Sequence, residues 1–165
     1  LVSYDPNLRL TLWDSPERAR EEILNGLQLA DLVKVNDEEL AFITGRATIA
    51  EGAQDLLSGP ASLCVITRGQ HGSHYFRRGA QGHVAPFVVE AIDATGSGDA
   101  FVSGLLYQLV QAGIGPGDLE RLPEEFLRRA LRFANAAGAL TATRRGVIHV
   151  LPTLREVEQF LADHA

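Results

Sequence analysis

The stretch Asp93-Ala94-Thr95-Gly96-Ser97-Gly98-Asp99-Ala100-Phe101 holds the residues whose types and spacing are best suited to chemistry. The first amides of a helix have no partner inside it, so a glycine turn that opens a helix can aim the N–H groups of Gly96, Ser97 and Gly98 at an anion. Asp99 is unexpected in that position. A carboxylate beside amides that hold a phosphate repels it, unless the acid is there to take a proton from an attacking hydroxyl. Anion cradle and base together suggest phosphoryl transfer. The other reading of Asp99 is structural, as a helix cap or a charge placed favourably on the helix dipole.

Two elements must position that turn. Four apolar residues among the five from Val88 to Ile92 predict a buried strand ahead of it, and Phe101, Val102, Leu105, Leu106, Leu109 and Val110 repeat at helical spacing after it. The segment Asp93–Phe101 resembles the second signature of the PfkB (ribokinase-like) carbohydrate kinases, Asp-Thr-Thr/Val-Gly-Ala-Gly-Asp-Ala-Phe, with Ala94 and Ser97 as departures. The resemblance implies that Gly96, Ser97 and Gly98 form the anion hole for the transferred phosphate and that Asp99 deprotonates the sugar hydroxyl.

Composition bounds the alternatives. With 165 residues, 45% of them hydrophobic and 22% charged, the chain can bury one sizeable core. A net charge of −6 argues against a nucleic-acid or membrane-surface partner, because binders of a phosphate backbone carry a basic face. The single cysteine, Cys64, lies in the apolar run Leu63–Ile66, so no internal disulfide forms and a reducing cytoplasm is expected. No apolar run reaches the roughly 18 residues of a membrane span, and no signal peptide opens the chain. The chain has no methionine and opens on what reads as a strand already in progress. It therefore reads as a fragment, which matches a resemblance confined to the C-terminal half of such kinases.

Taken in order, Leu1–Tyr4 reads as a strand ending in the turn Asp5-Pro6-Asn7. In an open α/β sheet, ligands sit beyond the carboxyl ends of strands, so Asp5, Asn7 and Arg9 are placed toward a cleft, with turn formation as the plain alternative. Asp5-x-Asn7-x-Arg9 resembles the fructokinase branch, which implies Arg9 and Asn7 near the sugar; Trp13 reads as packing. Ser15-Pro16 starts a helix whose buried face is Ala19, Ile23, Leu24 and Leu27.

The strand Leu32–Val35 leads to Asn36-Asp37-Glu38-Glu39, whose acids either cap the next helix or hold a hydrated cation. Asn36-x-x-Glu39 is similar to the family motif that orients water-coordinated magnesium, which implies that role for Asn36 and Glu39 and leaves Asp37 and Glu38 solvated. A helix over 49–57 stops at Ser58-Gly59-Pro60, and Leu63–Thr67 reads as a fully buried strand. The resemblance makes Thr67, Arg68 and Gly69 nucleotide contacts. His71, His74 and His83 lack the spacing of a metal site, and 73–78 with 82–87 form a hairpin around residues 78–81.

The second long helix, predicted over 123–141, carries Phe126, Leu127, Ala130, Leu131, Phe133 and Ala134 inward and Arg128, Arg129 and Arg132 outward. Gly104 would let a neighbouring helix come close. By resemblance Asn135 and Ala139 border the adenine, with helix packing as the alternative. Thr141, Arg144 and Gly146, together with Asp93 and Thr95, would hold a monovalent cation such as K+.

The expected fold is α/β, a ribokinase-like three-layer sandwich with a mostly parallel central sheet and an antiparallel hairpin edge. Residues 1–165 would be the C-terminal, nucleotide-binding portion of the kinase domain, without the N-terminal half that carries the lid and most sugar contacts. The resemblance implies ATP- and Mg2+-dependent phosphorylation of a sugar hydroxyl, fructose to fructose 6-phosphate, and a homodimer through the lid region. Ribose, 2-keto-3-deoxygluconate or another small sugar, and a non-catalytic nucleotide-binding module, are the alternatives. A dinucleotide-binding oxidoreductase is disfavoured because Phe101 stands where a third glycine is needed.

Overall fold

Continuous apolar runs such as Leu32-Val33 and Leu63-Cys64-Val65-Ile66 can only be satisfied as strands covered on both faces, and the computed structural model, which describes residues 1–164, builds them so. Five strands, β1 (Ser3–Tyr4), β2 (Leu32–Asn36), β3 (Leu63–Thr67), β4 (Ser73–Arg77) and β5 (Ala80–Val84), form one sheet in the order β1-β2-β3-β4-β5. β1 pairs with β2 and β2 with β3 in parallel. β4 and β5 are joined only by Arg78 and Gly79, a connection short enough for nothing but an antiparallel hairpin. Gly79 takes φ +77°, the left-handed turn conformation that glycine adopts without strain. The first arm falls close to its expected place, but the second starts two residues earlier than expected and ends at Val84 rather than at 87, so the turn is tighter.

The helices are α1 (Pro16–Leu27), α2 (Asp37–Thr44), α3 (Ile49–Leu57), α4 (Ser97–Gln111), α5 (Glu124–Ala142) and α6 (Leu154–Asp163). Ser15 caps α1 through its hydroxyl, as its sequence predicts. The contacts divide the chain into two units. The first comprises Leu1–Arg68, His74–His83 and Gly115–Arg121. Its core gathers Ile23, Val33, Val35, Ile43, Ala53 and Ile66 from α1–α3 and the sheet. The buried Cys64 belongs to it, and burial pushes its thiol up to about 12, so it is an inert packing group.

The second unit comprises Gly69–Ser73, Val84–Ile114 and the chain from Leu122 onward. Here α4 and α5 lie against each other at Gly104, where an added Cβ would sit 3.2 Å from Ala134 Cα and 3.3 Å from Ala137 Cβ. Val157 of α6 joins Ala100, Ala136 and Ala137 in its own cluster.

Five expectations are corrected. Residues 88–92 form no strand: Val88 is 94% exposed and Ile92 59%, because an apolar run becomes a strand only beside a neighbour with free backbone groups. Leu24 and Trp13 are exposed rather than packed. The first strand is only Ser3–Tyr4. Arg132 does not simply face solvent: its guanidinium lies 4.7 Å from the centre of the Phe87 ring and donates to the His164 carbonyl at 2.6 Å.

Candidate functional site

In the second unit, Gly96 adopts φ +81° and acts as the N-cap of α4 with no side-chain cap. The Ser97 N–H turns back to the Ala94 carbonyl at 3.1 Å, and the Gly96 carbonyl accepts the Ala100 N–H at 2.9 Å. The N–H groups of Gly98 and Asp99 have no acceptor among the described residues. Of the amides anticipated at Gly96, Ser97 and Gly98, the Ser97 N–H is thus taken up within the turn, Gly98 keeps an open donor, and the open N–H of Asp99 was not anticipated. The Asp99 side chain is exposed rather than turned into the interior, and the Ser97 hydroxyl is buried with no hydrogen-bond partner among the described residues.

Asp93 fixes the turn from the other side. One carboxylate oxygen accepts the Thr95 N–H at 3.0 Å and the other the Gly146 N–H at 3.4 Å. Hydrogen bonds from the Thr95 hydroxyl and N–H, and then from the Gly146 N–H, hold this carboxyl below the usual carboxylate range. The segment after α5 is thereby drawn to the turn, and a Cβ at Gly96 would lie 3.2 Å from Val147 Cγ1. Of the residues suggested for a monovalent cation, Asp93, Thr95 and Gly146 come together. The Thr141 hydroxyl instead donates to the Ala137 carbonyl, and the Arg144 guanidinium pairs with Glu156 at 2.6 Å. Those two residues fit such an ion only through their backbone carbonyls. Asn135 donates its amide to the carbonyls of Val84 and Ala85, at 3.4 and 3.1 Å, which ties α5 to the end of β5; Ala139 is half-buried on the same helix.

In the first unit, the parallel register sets Asn36 directly beside Thr67 at the carboxyl ends of β2 and β3. Asn36 and Glu39 form a capping box: Asn36 Oδ1 accepts the Glu39 N–H at 2.7 Å and Glu39 Oε2 accepts the Asn36 N–H at 2.8 Å. The other Glu39 oxygen accepts the Leu8 N–H at 3.0 Å. Each carboxylate oxygen keeps a further lone pair, but Glu39 is only 5% exposed. The donor set therefore fits magnesium held through water, not direct ligation. No group of three or more His, Cys, Asp or Glu residues among the described ones could hold a metal. Asp37, expected to be solvated, pairs with Arg68 at 3.2 Å. The positive charge of Arg68 thus already has a partner, though both side chains remain partly exposed.

Sequence reasoning missed two contacts here. Lys34 Nζ donates to Asp5 Oδ2 at 3.1 Å with both side chains nearly buried, which ties the Asp5 turn to β2. A lysine inside an apolar strand was the available signal, since a buried ammonium requires a partner. The Leu8–Glu39 bond has no such signal. Asn7 takes φ +46°, and Arg9 folds back so that Nη1 donates to the Leu8 carbonyl at 2.9 Å. The His74 and His83 rings lie side by side on the hairpin, tilted 39° with centroids 4.6 Å apart, and burial, then His83 and Arg68, push His74 below its ordinary value. Gly69 opens the short helical turn Gly69–His71 with φ +50°.

Residues 2–154 match the model of the pfkB family of carbohydrate kinases. Over 162 residues the chain is 47% identical to "Probable fructokinase-2" of Arabidopsis thaliana, a match that covers 98% of this chain and 48% of that protein. The fructokinase of Xylella fastidiosa with bound ATP superposes with a TM-score of 0.92 at 35% identity, covering 99% of this chain and 52% of that one. The fructokinase of Vibrio cholerae O395 in its fructose-, ADP- and calcium-bound form gives 0.85 at 37%, with 97% and 50% covered. The expected ribokinase-like α/β fold is the one these structures share. The chain spans about half the length of the curated relatives it matches.

Proposed function

Because this chain belongs to the pfkB family of carbohydrate kinases, we propose that it carries the catalytic and nucleotide-binding part of an ATP-dependent fructokinase that forms fructose 6-phosphate. The observation that supports this most is the pair of unaccepted N–H groups at Gly98 and Asp99, set beside an exposed carboxylate on the same helical turn. Donors aimed at an anion stabilise charge on a transferred group, and an exposed carboxylate beside them is placed to accept a proton from the attacking hydroxyl.

In this reading Asp99 takes the proton from the sugar's primary hydroxyl. That oxygen forms its bond to the γ-phosphorus as the bond to the departing diphosphate breaks. Gly96, Ser97 and Gly98 shape the turn, and the open donors lower the energy of the charged oxygens on the phosphoryl group. Asn7 and Arg9 orient the sugar; Thr67, Arg68 and Gly69 border the triphosphate; Asn135 and Ala139 line the base. Asn36 and Glu39 would hold magnesium through water, which would supply positive charge to the leaving diphosphate. The Asp93 carboxylate, with carbonyls near Thr95, Thr141, Arg144 and Gly146, would hold a monovalent cation beside the turn. The whole kinase would work in the cytoplasm and pair through a lid contributed by its other half.

A coupled ADP-release assay over fructose, ribose and 2-keto-3-deoxygluconate tests the reading. Fructose should give the highest kcat/KM, and Asp99→Asn should lower turnover by about 10²–10⁴-fold while ADP still binds. ADP binding with no sugar-dependent release would make the protein a nucleotide-binding module. Unchanged turnover in Asp99→Asn would remove the mechanism.

A further inference from the structure

Resting on the kinase reading, we propose that the Glu39 carboxylate is a joint between metal–nucleotide binding and the sugar-facing segment Asn7–Arg9, and so a positioning residue for the sugar. Its two oxygens serve different parts of the chain: Oε2 accepts the N–H of Asn36 within the motif at the start of α2, and Oε1 accepts the N–H of Leu8. Leu8 lies between the two residues assigned to the sugar, and its own carbonyl accepts from Arg9. Asn7 holds a left-handed backbone, which asparagine adopts readily in a turn.

The Leu8 side chain packs against the core of the first unit and Lys34 ties the Asp5 turn to β2, while Leu10 and Leu12 just beyond are exposed; the Leu8–Glu39 bond is the polar anchor of this segment to α2. Glu39 is nearly buried, where charge-assisted hydrogen bonds are strong and an altered pull on one oxygen is felt at the other. A hydrated cation drawing on this carboxylate therefore changes how firmly Leu8 is held. Linkage makes the effect reciprocal: whatever factor magnesium and nucleotide add to sugar affinity, the sugar adds to theirs, with about fivefold or more expected.

Glu39→Gln separates the two roles. Glutamine is a normal third residue of a capping box, so the cap on α2 survives, but the amide then presents a donor to the Leu8 N–H. Amide hydrogen exchange at Leu8 should accelerate about tenfold or more, the usual consequence of losing a hydrogen bond to a charged group. Trp13, the chain's only tryptophan, reports on the same segment. Its fluorescence should respond to Mg2+ with ADP in the parent chain and not in Glu39→Gln. Asn36→Ser, which retains a capping acceptor and leaves Glu39 intact, should keep Leu8 protected. Equal exchange at Leu8 in parent and Glu39→Gln, or an equal Trp13 response, would overturn the joint. A Trp13 response that depends on Glu39 in a protein that phosphorylates no sugar would instead keep the joint and remove the kinase reading.

Discussion

Helices α2 and α4 begin in opposite ways. At the start of α2, Asn36 and Glu39 satisfy each other's backbone groups and Glu39 takes a further N–H from Leu8, so this terminus is closed. At the start of α4, a glycine with φ +81° leaves no side-chain cap, and the amides of Gly98 and Asp99 stay open. Both carry a carboxylate in the first turn, Glu39 nearly buried and Asp99 exposed. A terminus that satisfies its own amides fixes structure and can meet a cation only through water. One that leaves them open holds its donors for an arriving anion.

The strongest way to break this contrast is to remove the acid from the open terminus. Asp99→Asn should lower kcat by about 10²–10⁴-fold, the usual contribution of a positioned base. It should also tighten inorganic phosphate binding, since a repelling charge has left the donors. Steady-state kinetics and phosphate calorimetry read the two effects, and weaker phosphate binding would show that Asp99 supports the turn rather than opposing the anion. Next in size, Gly96→Ala forces a side chain into a left-handed conformation and against Val147 Cγ1 at 3.2 Å. It should cost about 1–2 kcal/mol in urea unfolding. A loss near zero would mean that the turn relaxes and its geometry is not fixed.

The closed terminus was legible in the sequence and the open one only partly. Asn36-x-x-Glu39 is a capping box by residue type and spacing, and the strand ends at Asn36 and Thr67 followed from apolar runs with polar stops. Such local rules need only neighbouring residues. The glycine turn was visible as a turn, but which amides remain open depended on Ser97 N–H closing on Ala94, a detail of backbone torsions. What the sequence left open is long-range: a lysine inside an apolar strand calls for a partner without naming it. Lys34–Asp5 joins residues 29 apart and Leu8–Glu39 residues 31 apart, and no periodicity encodes either. The run 88–92 misled for the converse reason, since hydrophobicity marks a segment that wants burial without saying which edge will supply hydrogen bonds.

Asn36→Ala then sharpens the contrast from the closed side. It removes the acceptor of the Glu39 N–H, and thermal unfolding should register a loss of about 1 kcal/mol, typical of an N-cap. No change would mean that the Leu8 bond and packing hold α2 without its cap.

The smallest effect lies at a third helix start, where α6 repeats the closed design at the surface. Glu156 accepts the N–H of Thr153 at 2.7 Å and its hydroxyl at 2.8 Å, and pairs with Arg144 at 2.6 Å. The Thr153 N–H first, then Arg144 and the Thr153 hydroxyl, hold its carboxyl down from 4.5 to about 2. Because the folded value is depressed, this contribution is fully present above pH 4.5 and fades as pH falls toward 2. Glu156→Gln keeps the capping geometry but cannot titrate. The melting temperatures of parent and variant should therefore differ above pH 4.5 and converge on acidification toward 2. An exposed pair contributes little, so the gap should be small; a gap that stays constant across the window would assign it to lost packing rather than to charge.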